Sequence, residues 1–537
     1  MNFFSNPQYP YLKKWHKYID FIAIALVIGF AILLHIPPYR YTPFWVDELW
    51  RANFILNPNA YKLYISEPSV YTGITSPIYL AMNKLLAEFN RSPQVLRLSS
   101  LIPSVLTPGI AYIIIRKLNG DFFSALLAAI LFVLNIELYI HSLQFKPYSL
   151  EILIHLICIY FWINLLIKKT ITGRDYLIFS IVLTISLLTA MNVVFILPAF
   201  GVTLFLNARL LNSKSNQFKT VLLFIGLLFF VLCLYWFIWR FANSHDMQNM
   251  WEEGFNQNQA YLFFAYEKLS EIYLGSITIL GLAKDGPTYL KITQSGVIEI
   301  TLILMLFLSI FFARKKQTKL NFLWLVFIGT FFATIFFLNY LHLWPIGQLR
   351  SNLFINAFII LWICIILSQI KLRNIPFLSI LIITGAIFIS LRTSINQLEN
   401  TAINEQSDMV FRDFSAGGEI GNRIENECAQ GIKAKIYMNS AYSHAFEYFN
   451  TYDPYAKHNW RFPKECVEIK VFTDDQFLIA KTILNSDLKK SDTVWLLYSH
   501  ITFNQITKLK TIIDQHGTIK ESKAYSNAGY LWVQKNN

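Results

Sequence analysis

The run YIDFIAIALVIGFAILLHI, at residues 18–36, decides the fold class of this chain. Its only formal charge is Asp20, and the rest of the run is almost entirely apolar. A transmembrane helix needs about 20 predominantly apolar residues, so this run predicts a membrane-spanning helix. No A-x-A-like cleavage site follows the run and many further apolar runs come after it, which excludes a cleaved signal peptide.

The composition of the whole chain leads to the same conclusion. The 537 residues are 55% hydrophobic and only 15% charged, with a mean hydropathy of +0.42. Soluble domains carry roughly 25% charged residues. A chain with so few charges cannot cover a water-soluble core with polar surface, which excludes an ordinary cytosolic enzyme, a disordered protein and a small disulfide scaffold. The aromatic content of 16% is typical of lipid-facing surfaces and membrane-interface belts.

Further apolar runs of similar length follow the first one. They lie at residues 98–115, 121–140, 149–167, 176–190, 192–208, 220–240, 297–313, 320–341, 352–370 and 375–391. The stretch 176–208 reads either as one long buried helix or as two spans broken at 189–192. The sequence therefore predicts a polytopic α-helical membrane protein with about eleven transmembrane helices in residues 1–391.

The distribution of lysine and arginine tests this count, because cytoplasmic loops of membrane proteins are enriched in both. With eleven spans and a cytoplasmic N-terminus, every short inside loop is basic, as at 168–174 and 314–319. Fusing the two spans within 176–208 would put the later basic loops outside, so two separate spans are favoured. We expect a multi-pass protein of the inner cell membrane, surrounded by membrane lipids. The net charge of +13 is then explained by the basic cytoplasmic loops, and no nucleic-acid partner is expected.

Three long segments fall on the extracytoplasmic side in this topology. Two are loops, near 37–97 and 241–296, and the third is the tail 392–537, where charged residues return. The tail predicts a soluble α/β domain with amphipathic helices such as Ile501 to Gln515. Its strand-like runs lie at 435–439, 468–473, 493–499 and 530–534.

Cys428 and Cys466 lie in this tail, shortly before its first two strand-like runs. A helical stretch from Ala441 to Phe449 lies between those runs, so the order is that of a β-α-β unit with neighbouring parallel strands. Residues just before two such strands lie at the same sheet edge, and an oxidising compartment would let them bridge. A disulfide and two unrelated reduced thiols both stay open.

The first outside loop opens with PFWVDELWRANFI, at residues 43–55, in which Asp47 and Glu48 are adjacent among aromatic residues. Desolvation by such a patch raises the pKa of a carboxyl group, which suits a general base. The alternative is a helix N-terminus whose dipole is complemented by acidic residues. For Asp47 and Glu48, a catalytic role and a structural role at a helix start both stay open at this point.

Glu67 is a third carboxylate in the same loop, ahead of the segment TSPIY at 75–79. There Pro77 suits the first turn of an amphipathic helix lying on the membrane surface. Glu67 is either a solvated loop residue or a substrate-binding residue that completes a site with Asp47. A divalent cation held by Asp47 and Glu67 is a weaker candidate, because no His or Cys stands at ligand spacing.

Two outside membrane edges carry isolated cations. Lys146 stands beside Tyr148 in HSLQFKPYSLEI, at 141–152, and Arg350 stands in LHLWPIGQLRSNLF, at 341–354. A lone cation at a membrane edge is costly and is a functional candidate by default. The guanidinium fork of Arg350, and a lysine next to a tyrosine hydroxyl, would suit a phosphate group. The alternative for both cations is a side chain that reaches the interface as an anchor.

These segments together resemble the GT-C superfamily of polytopic glycosyltransferases, in the branch of the protein O-mannosyltransferases, lipid A aminoarabinose transferases and RgtA/B/C/D-like enzymes. The resemblance covers residues 1–391. It rests on the DE pair, TSPIY, Q-x-K-P-Y-S at 144–149 and P-x-G-x-x-R at 345–350, in that order and on one side of the membrane. TSPIY departs from the family, where many relatives have a His-Pro-Pro-Leu-like run, and this leaves the acceptor side of the site open.

The resemblance implies a GT-C-like transmembrane catalytic domain that uses a sugar donor linked to polyprenyl phosphate. It implies that Asp47 is the base and Glu48 its neighbour, while Lys146, Tyr148 and Arg350 face the lipid phosphate. An activated acceptor hydroxyl would attack C1 of the sugar and invert the anomeric centre. The acceptor is a lipid, a glycan or a protein, and the use of a metal stays open.

Two other functions compete with this one. A lipid-linked oligosaccharide polymerase or ligase also has many spans, but it is expected to keep its main catalytic loop late in the chain. A transporter or flippase should place ionisable groups within its spans and should show broken helices. The predicted spans are nearly free of charge, which favours chemistry at one membrane face over passage through the membrane.

Overall fold

The computed structural model describes two compact units of the chain. The first comprises residues 1–39, 63–82 and 98–395, and the second comprises 40–62, 83–97 and 396–537. The residues described within them are 10–41, 46–60, 62, 76–119, 122–168, 170–237, 307, 319–344, 352–369, 423–424, 426–431, 434–439, 466–472, 493–499, 503–514, 517–525 and 528–535.

Up to residue 369, the elements that the structure describes are all helices. The helices are α1 Pro10–Tyr41, α2 Val46–Leu56, α3 Pro77–Phe89, α4 Pro93–Leu96, α5 Leu98–Asn119, α6 Phe122–Leu134, α7 Ile136–Ser142, α8 Tyr148–Ile167, α9 Gly173–Thr189, α10 Leu197–Leu210, α11 Lys214–Phe237, α12 Lys319–Tyr340 and α13 Leu353–Gln369. A 3₁₀ helix, Met191–Ile196, lies between α9 and α10.

Within the described residues, six helices are long and apolar enough to cross a membrane. They are Tyr18–His35, Leu98–Leu118, Tyr148–Ile167, Met191–Leu210, Lys214–Trp236 and Phe322–Tyr340. Two shorter apolar helices, Phe122–Leu134 and Leu353–Ile366, accompany them. The chain is therefore a multi-pass membrane protein. The predicted span at 375–391 lies outside the described residues, and so does the span at 297–313 apart from Phe307.

The predicted break within 176–208 is confirmed. Helix α9 ends at Thr189, and Ala190 adopts an extended backbone with φ −142° and ψ 107° before the 3₁₀ helix begins. The last carbonyl groups of a helix lack partners within it. The Ser76 hydroxyl supplies one, because its Oγ donates to the backbone carbonyl of Thr189.

The prediction of one continuous span at 121–140 is wrong, because Asn135 interrupts it between α6 and α7. The Asn135 side-chain oxygen accepts a hydrogen bond from the backbone N–H of Leu138 at 3.0 Å. This is the bond that a helix N-cap makes. Asn135 therefore begins a new short helix, Ile136–Ser142, instead of extending the preceding one.

The core of the helical unit is apolar and rich in aromatic rings. Helix α5 packs against α6 and α8, and α10 packs against α11 and α12. Trp162 is fully buried, and its ring centroid lies 4.7 Å from that of Phe327. Its indole N–H donates to Thr203 Oγ1 at 2.9 Å. On α11, by contrast, Phe229 is 69% exposed, as expected for a side chain that faces lipid.

The described part of the tail forms a five-stranded sheet in the order β2-β1-β3-β5-β4. The strands are β1 Ala434–Asn439, β2 Val467–Phe472, β3 Thr493–Ser499, β4 Gly517–Tyr525 and β5 Ala528–Lys535, and α14 is Phe503–Asp514. Strand β1 is parallel to both β2 and β3, whereas β5 is antiparallel to β3 and β4. The four predicted strands and the helix near 501–515 are confirmed, and β4 was not predicted.

The two cysteines of the tail form a disulfide bond, and their Cα atoms lie 5.8 Å apart. The backbone N–H of Ala434, the first residue of β1, donates to the carbonyl of Cys466 at 3.0 Å. Cys466 thus precedes β2 at the edge where β1 also begins, as the parallel pairing requires. Of the two readings, the structure favours the disulfide. The predicted helix at 441–449 lies outside the described residues.

Candidate functional site

The acidic pair of the first loop lies at the start of α2. Asp47 and Glu48 are in its first turn, where carboxylates complement the helix dipole. The structure describes only the backbone of Asp47. The Glu48 side chain, next along the helix, is completely buried. The two acidic residues therefore differ in the role that the fold allows them.

Glu48 forms a bidentate ion pair with Arg97. The Arg97 Nε donates to Glu48 Oε1 at 3.0 Å, and Nη2 donates to Oε2 at 2.7 Å. Each side chain is only 1% exposed. Both oxygens of the Glu48 carboxylate already accept hydrogen bonds from a buried guanidinium, which suits an anchor better than a proton acceptor. We therefore read Glu48 as a residue that fixes α2, and Asp47 stays the candidate base.

Arg97 is a residue that the sequence analysis did not single out. It follows the short helix α4, whose cap Ser92 accepts a hydrogen bond from Val95 N and whose first residue is Pro93. The Arg97 backbone N–H donates to the Pro93 carbonyl at 3.0 Å. Ser-Pro is a recognisable helix start, but the sequence carries no local signal that this arginine reaches a carboxylate 49 positions earlier.

The segment TSPIY starts a helix, as predicted: α3 begins at Pro77. Ser76 stands just before it, and its Oγ accepts from the backbone N–H of Tyr79 at 3.4 Å. Tyr79 is completely buried, and its hydroxyl oxygen accepts from Ser99 Oγ at 3.4 Å. The start of α3 is thus fixed by a serine cap and by a buried contact with α5.

Lys146 lies in a folded turn just before α8, and Tyr148 is the first residue of that helix. The Lys146 backbone N–H donates to Gln144 O at 2.8 Å, and its carbonyl accepts from Ser100 Oγ at 2.6 Å. The Lys146 ammonium lies 5.9 Å from the centroid of the Tyr148 ring. That ring in turn meets the His141 imidazole edge-on at 5.4 Å.

The burial of Lys146 favours one of its two interpretations. The residue is only 3% exposed. A lysine that anchors a protein at an interface keeps its ammonium in water, so this burial does not fit an anchor. A buried cation close to a tyrosine ring suits an anionic ligand.

The other two predicted substrate-binding residues, Glu67 and Arg350, lie outside the described residues. The two ends of the segment that carries Arg350 are described, and they are joined. Trp344 Nε1 donates to Asn352 Oδ1 at 2.8 Å, and Asn339 Nδ2 donates to the Trp344 carbonyl at 2.8 Å. The described residues on either side of this segment, Trp344 and Asn352, therefore lie next to each other.

The residues that the structure describes contain no group of three or more His, Cys, Asp or Glu side chains able to hold a metal ion. The two metal candidates, Asp47 and Glu67, have side chains outside that set. The divalent cation stays a prediction.

Comparison with known proteins gives one family match, to the family model described as dolichyl-phosphate-mannose-protein mannosyltransferase. Residues 75–236 resemble a protein mannosyltransferase. This mannosyltransferase-like region includes the Lys146–Tyr148 turn and the helix break at Ala190, but neither the DE pair nor Arg350. The match confirms, over these residues, the resemblance to the GT-C branch that includes the protein O-mannosyltransferases.

Solved structures also match over most of this chain, with TM-scores below 0.5. ArnT from Cupriavidus metallidurans bound to undecaprenyl phosphate matches 95% of this chain and 97% of its own, with 9% identity and a TM-score of 0.48. The oligosaccharyltransferase of Archaeoglobus fulgidus in the apo form matches 93% of this chain and 69% of its own, with 11% identity and a TM-score of 0.48. No curated protein sequence matches this chain.

Proposed function

We propose that this chain is a membrane glycosyltransferase that moves a sugar from a polyprenyl-phosphate donor to an acceptor at the extracytoplasmic face. The observation that carries the proposal is the buried Lys146 beside Tyr148, within the mannosyltransferase-like region. The leaving group of such a reaction is a lipid phosphate, on which negative charge develops. A buried cation fixed by backbone hydrogen bonds stabilises that charge without reorganising.

The roles of the other residues follow from the same reaction. Asp47 accepts the proton of the acceptor hydroxyl, which attacks C1 of the sugar and inverts its configuration. The ion pair of Glu48 with Arg97 holds the helix that carries Asp47. Arg350 binds the lipid phosphate together with Lys146, and Tyr148 donates a hydrogen bond to it. Glu67 binds the acceptor, which is a lipid, a glycan or a protein.

The proposal is tested by transfer from synthetic polyprenyl-phosphate sugars to membrane extracts, with product analysis. An Asp47→Asn variant should fold normally and lose about 100-fold or more in rate, as expected for removal of a base. Asp514→Asn, an exposed aspartate at the end of α14, is the matched control and should keep full activity. Transfer at near wild-type rate by Asp47→Asn would refute the assignment of the base.

Arg350 tests the donor side separately. Arg350→Ala should weaken donor use, and Arg350→Lys should rescue it only in part, because a point charge replaces a planar fork. If Arg350→Ala leaves donor affinity and rate unchanged, the residue is a membrane anchor.

A second candidate function is transport of a lipid-linked substrate. Two observations favour it: the helix breaks at Asn135 and Ala190, and a carboxylate, Glu151, within the span that begins at Tyr148. A transporter moves its substrate unchanged, whereas a transferase yields free polyprenyl phosphate. Proteoliposomes loaded with a labelled lipid-linked sugar separate the two, because product analysis shows which lipid remains.

A further inference from the structure

A polar cluster lies inside the helical unit, and the proposed reaction has not used it. It consists of Glu151 and His155 on α8 and Asn192 in the 3₁₀ helix. Asn192 Nδ2 donates to Glu151 Oε2 at 2.9 Å, and His155 Nδ1 donates to the Glu151 carbonyl at 2.7 Å. Asn192 is 2% exposed and His155 is completely buried, whereas Glu151 is half-buried.

The cluster contains a buried acceptor for which the described residues supply no donor. Asn192 Oδ1 is buried and has no hydrogen-bond partner among the described residues. A buried polar atom in that state costs free energy, so it is normally satisfied by protein, water or ligand. The other end of the same amide is held by Glu151, so the orientation of Asn192 is fixed. The site is built to accept a hydrogen bond from a donor that the described chain does not supply.

The two elements that carry the cluster also carry stacked aromatic rings. The His155 ring stacks on Phe354 at 4.9 Å, and Phe195, in the same 3₁₀ helix as Asn192, lies 4.6 Å from Trp344. Ligand sites commonly combine apolar and aromatic walls with a few fixed polar groups. A sugar offers both complements, because it has hydroxyl donors and apolar C–H faces.

The cluster continues the face of α8 that begins with Tyr148, one of the proposed phosphate-binding residues. Tyr148, Glu151 and His155 stand at positions i, i+3 and i+7 of α8, which lie on one face of a helix. Glu151 is about 4.5 Å along the axis from Tyr148, at 1.5 Å per residue. The hydroxyl groups of a donor sugar lie within one ring of the phosphate that carries it, so a hydroxyl site belongs at about this distance.

We infer that Glu151 and Asn192 form a subsite that binds hydroxyl groups of the donor sugar. This inference rests on the proposed function, since it supplies the sugar-binding half of the donor site. The side-chain oxygen of Asn192 and the carboxylate of Glu151 accept hydrogen bonds from the sugar. His155 positions Glu151 through the hydrogen bond to the Glu151 backbone carbonyl. The subsite selects among donors by where their hydroxyl groups stand, because a sugar without the matching hydroxyl leaves a buried acceptor unpaired.

The test compares the binding of a bare lipid phosphate with the binding of sugar-linked lipid phosphates. The purified full chain in lipid nanodiscs is titrated with bare undecaprenyl phosphate and with undecaprenyl phosphate linked to a panel of hexoses and pentoses, followed by tryptophan fluorescence. At least one sugar-linked lipid should bind about 10- to 100-fold tighter than the bare lipid. Glu151→Gln and Asn192→Leu should each reduce that ratio to within about 3-fold, with unchanged affinity for the bare lipid.

The matched control is Asn207→Leu, which replaces another fully buried amide, on α10, away from the cluster. It should keep the wild-type ratio. Glu151→Gln preserves shape, so it carries the test if Asn192→Leu does not fold. The inference is overturned if either folded variant keeps the full ratio, or if wild-type chain binds every sugar-linked lipid no tighter than the bare one.

The two measurements distinguish a failure of the proposed sugar subsite from a failure of the proposed transferase function. A wild-type chain that shows the sugar-dependent ratio but forms no product refutes the transferase proposal and keeps the subsite. A chain that transfers sugar while both variants retain the ratio keeps the proposed function and refutes the subsite. In that case the Asn192 acceptor is satisfied by a structural water.

Discussion

Replacing Arg97 with alanine would leave the Glu48 carboxylate buried without its guanidinium. Both side chains are 1% exposed, and two hydrogen bonds of 2.7 and 3.0 Å join them. Breaking a buried pair by removing one partner costs about 3–5 kcal/mol, because the charge that remains is uncompensated. We expect this cost to appear as easier opening of α2, Val46–Leu56, since Glu48 lies in its first turn.

Hydrogen–deuterium exchange of the α2 amides measures that opening. At about 1.4 kcal/mol for each factor of ten, exchange of the protected amides should become roughly 100-fold to several thousand-fold faster. The double variant Glu48→Leu/Arg97→Met should recover most of the protection, because it removes both charges and keeps the volume apolar. It should not recover transfer activity if the ion pair also sets the position of Asp47.

The matched control is the ion pair of Arg423 with Glu521, which has the same chemistry but is 46% and 32% exposed. Exposed pairs contribute about 0–1 kcal/mol, so Arg423→Ala should accelerate exchange near β4 by no more than about five-fold. The reasoning is refuted if Arg97→Ala changes exchange in α2 by no more than Arg423→Ala changes it in β4.

Three further predictions concern the tail, the topology and the metal. Cys428 and Cys466 should resist alkylation until they are reduced, and reduction should destabilise the tail by about 3–4 kcal/mol, measured by urea unfolding; ready alkylation without reductant contradicts the bridge. Single thiols introduced at Lys315 and Ser522 should be labelled from opposite faces of sealed cells, and labelling of both from one face contradicts the predicted topology. If carboxylates of the first loop hold a divalent cation, chelation should lower transfer at least about 10-fold and added Mg²⁺ or Mn²⁺ should restore it; full activity in chelator excludes the cation.

The parts of the fold that follow from local pattern could be predicted from the sequence. Apolar runs of the right length place most of the described bundle helices, because burial in lipid needs little beyond length and composition. The break at 189–192 was predicted from charge in distant loops, and the extended Ala190 confirms it. Two central strands of the tail, at 434–439 and 493–499, could be predicted because buried strands are largely apolar.

The parts that depend on distant partners could not be predicted. The Glu48–Arg97 pair joins residues 49 positions apart, and the local sequence around either residue does not indicate the other as its partner. Strand β4, with the sequence GTIKESKAY, lies at one edge of the described sheet, where charged residues are tolerated and hide the strand pattern. Asn135 did carry a signal, since an asparagine inside an apolar run is a good helix cap, but the length of the run outweighed it.

The bond from Ser76 to the Thr189 carbonyl has a consequence for how this protein tolerates change. It ties the first turn of α3 to the place where the bundle changes from α9 to the 3₁₀ helix, so α3 starts at a fixed point. Insertions and deletions upstream of Ser76 can then vary the length of the first loop without moving α3 along the bundle. This gives evolution, or a designer, an adjustable segment next to the proposed acceptor side, whereas a length change between Ser76 and Tyr79 would shift the whole helix.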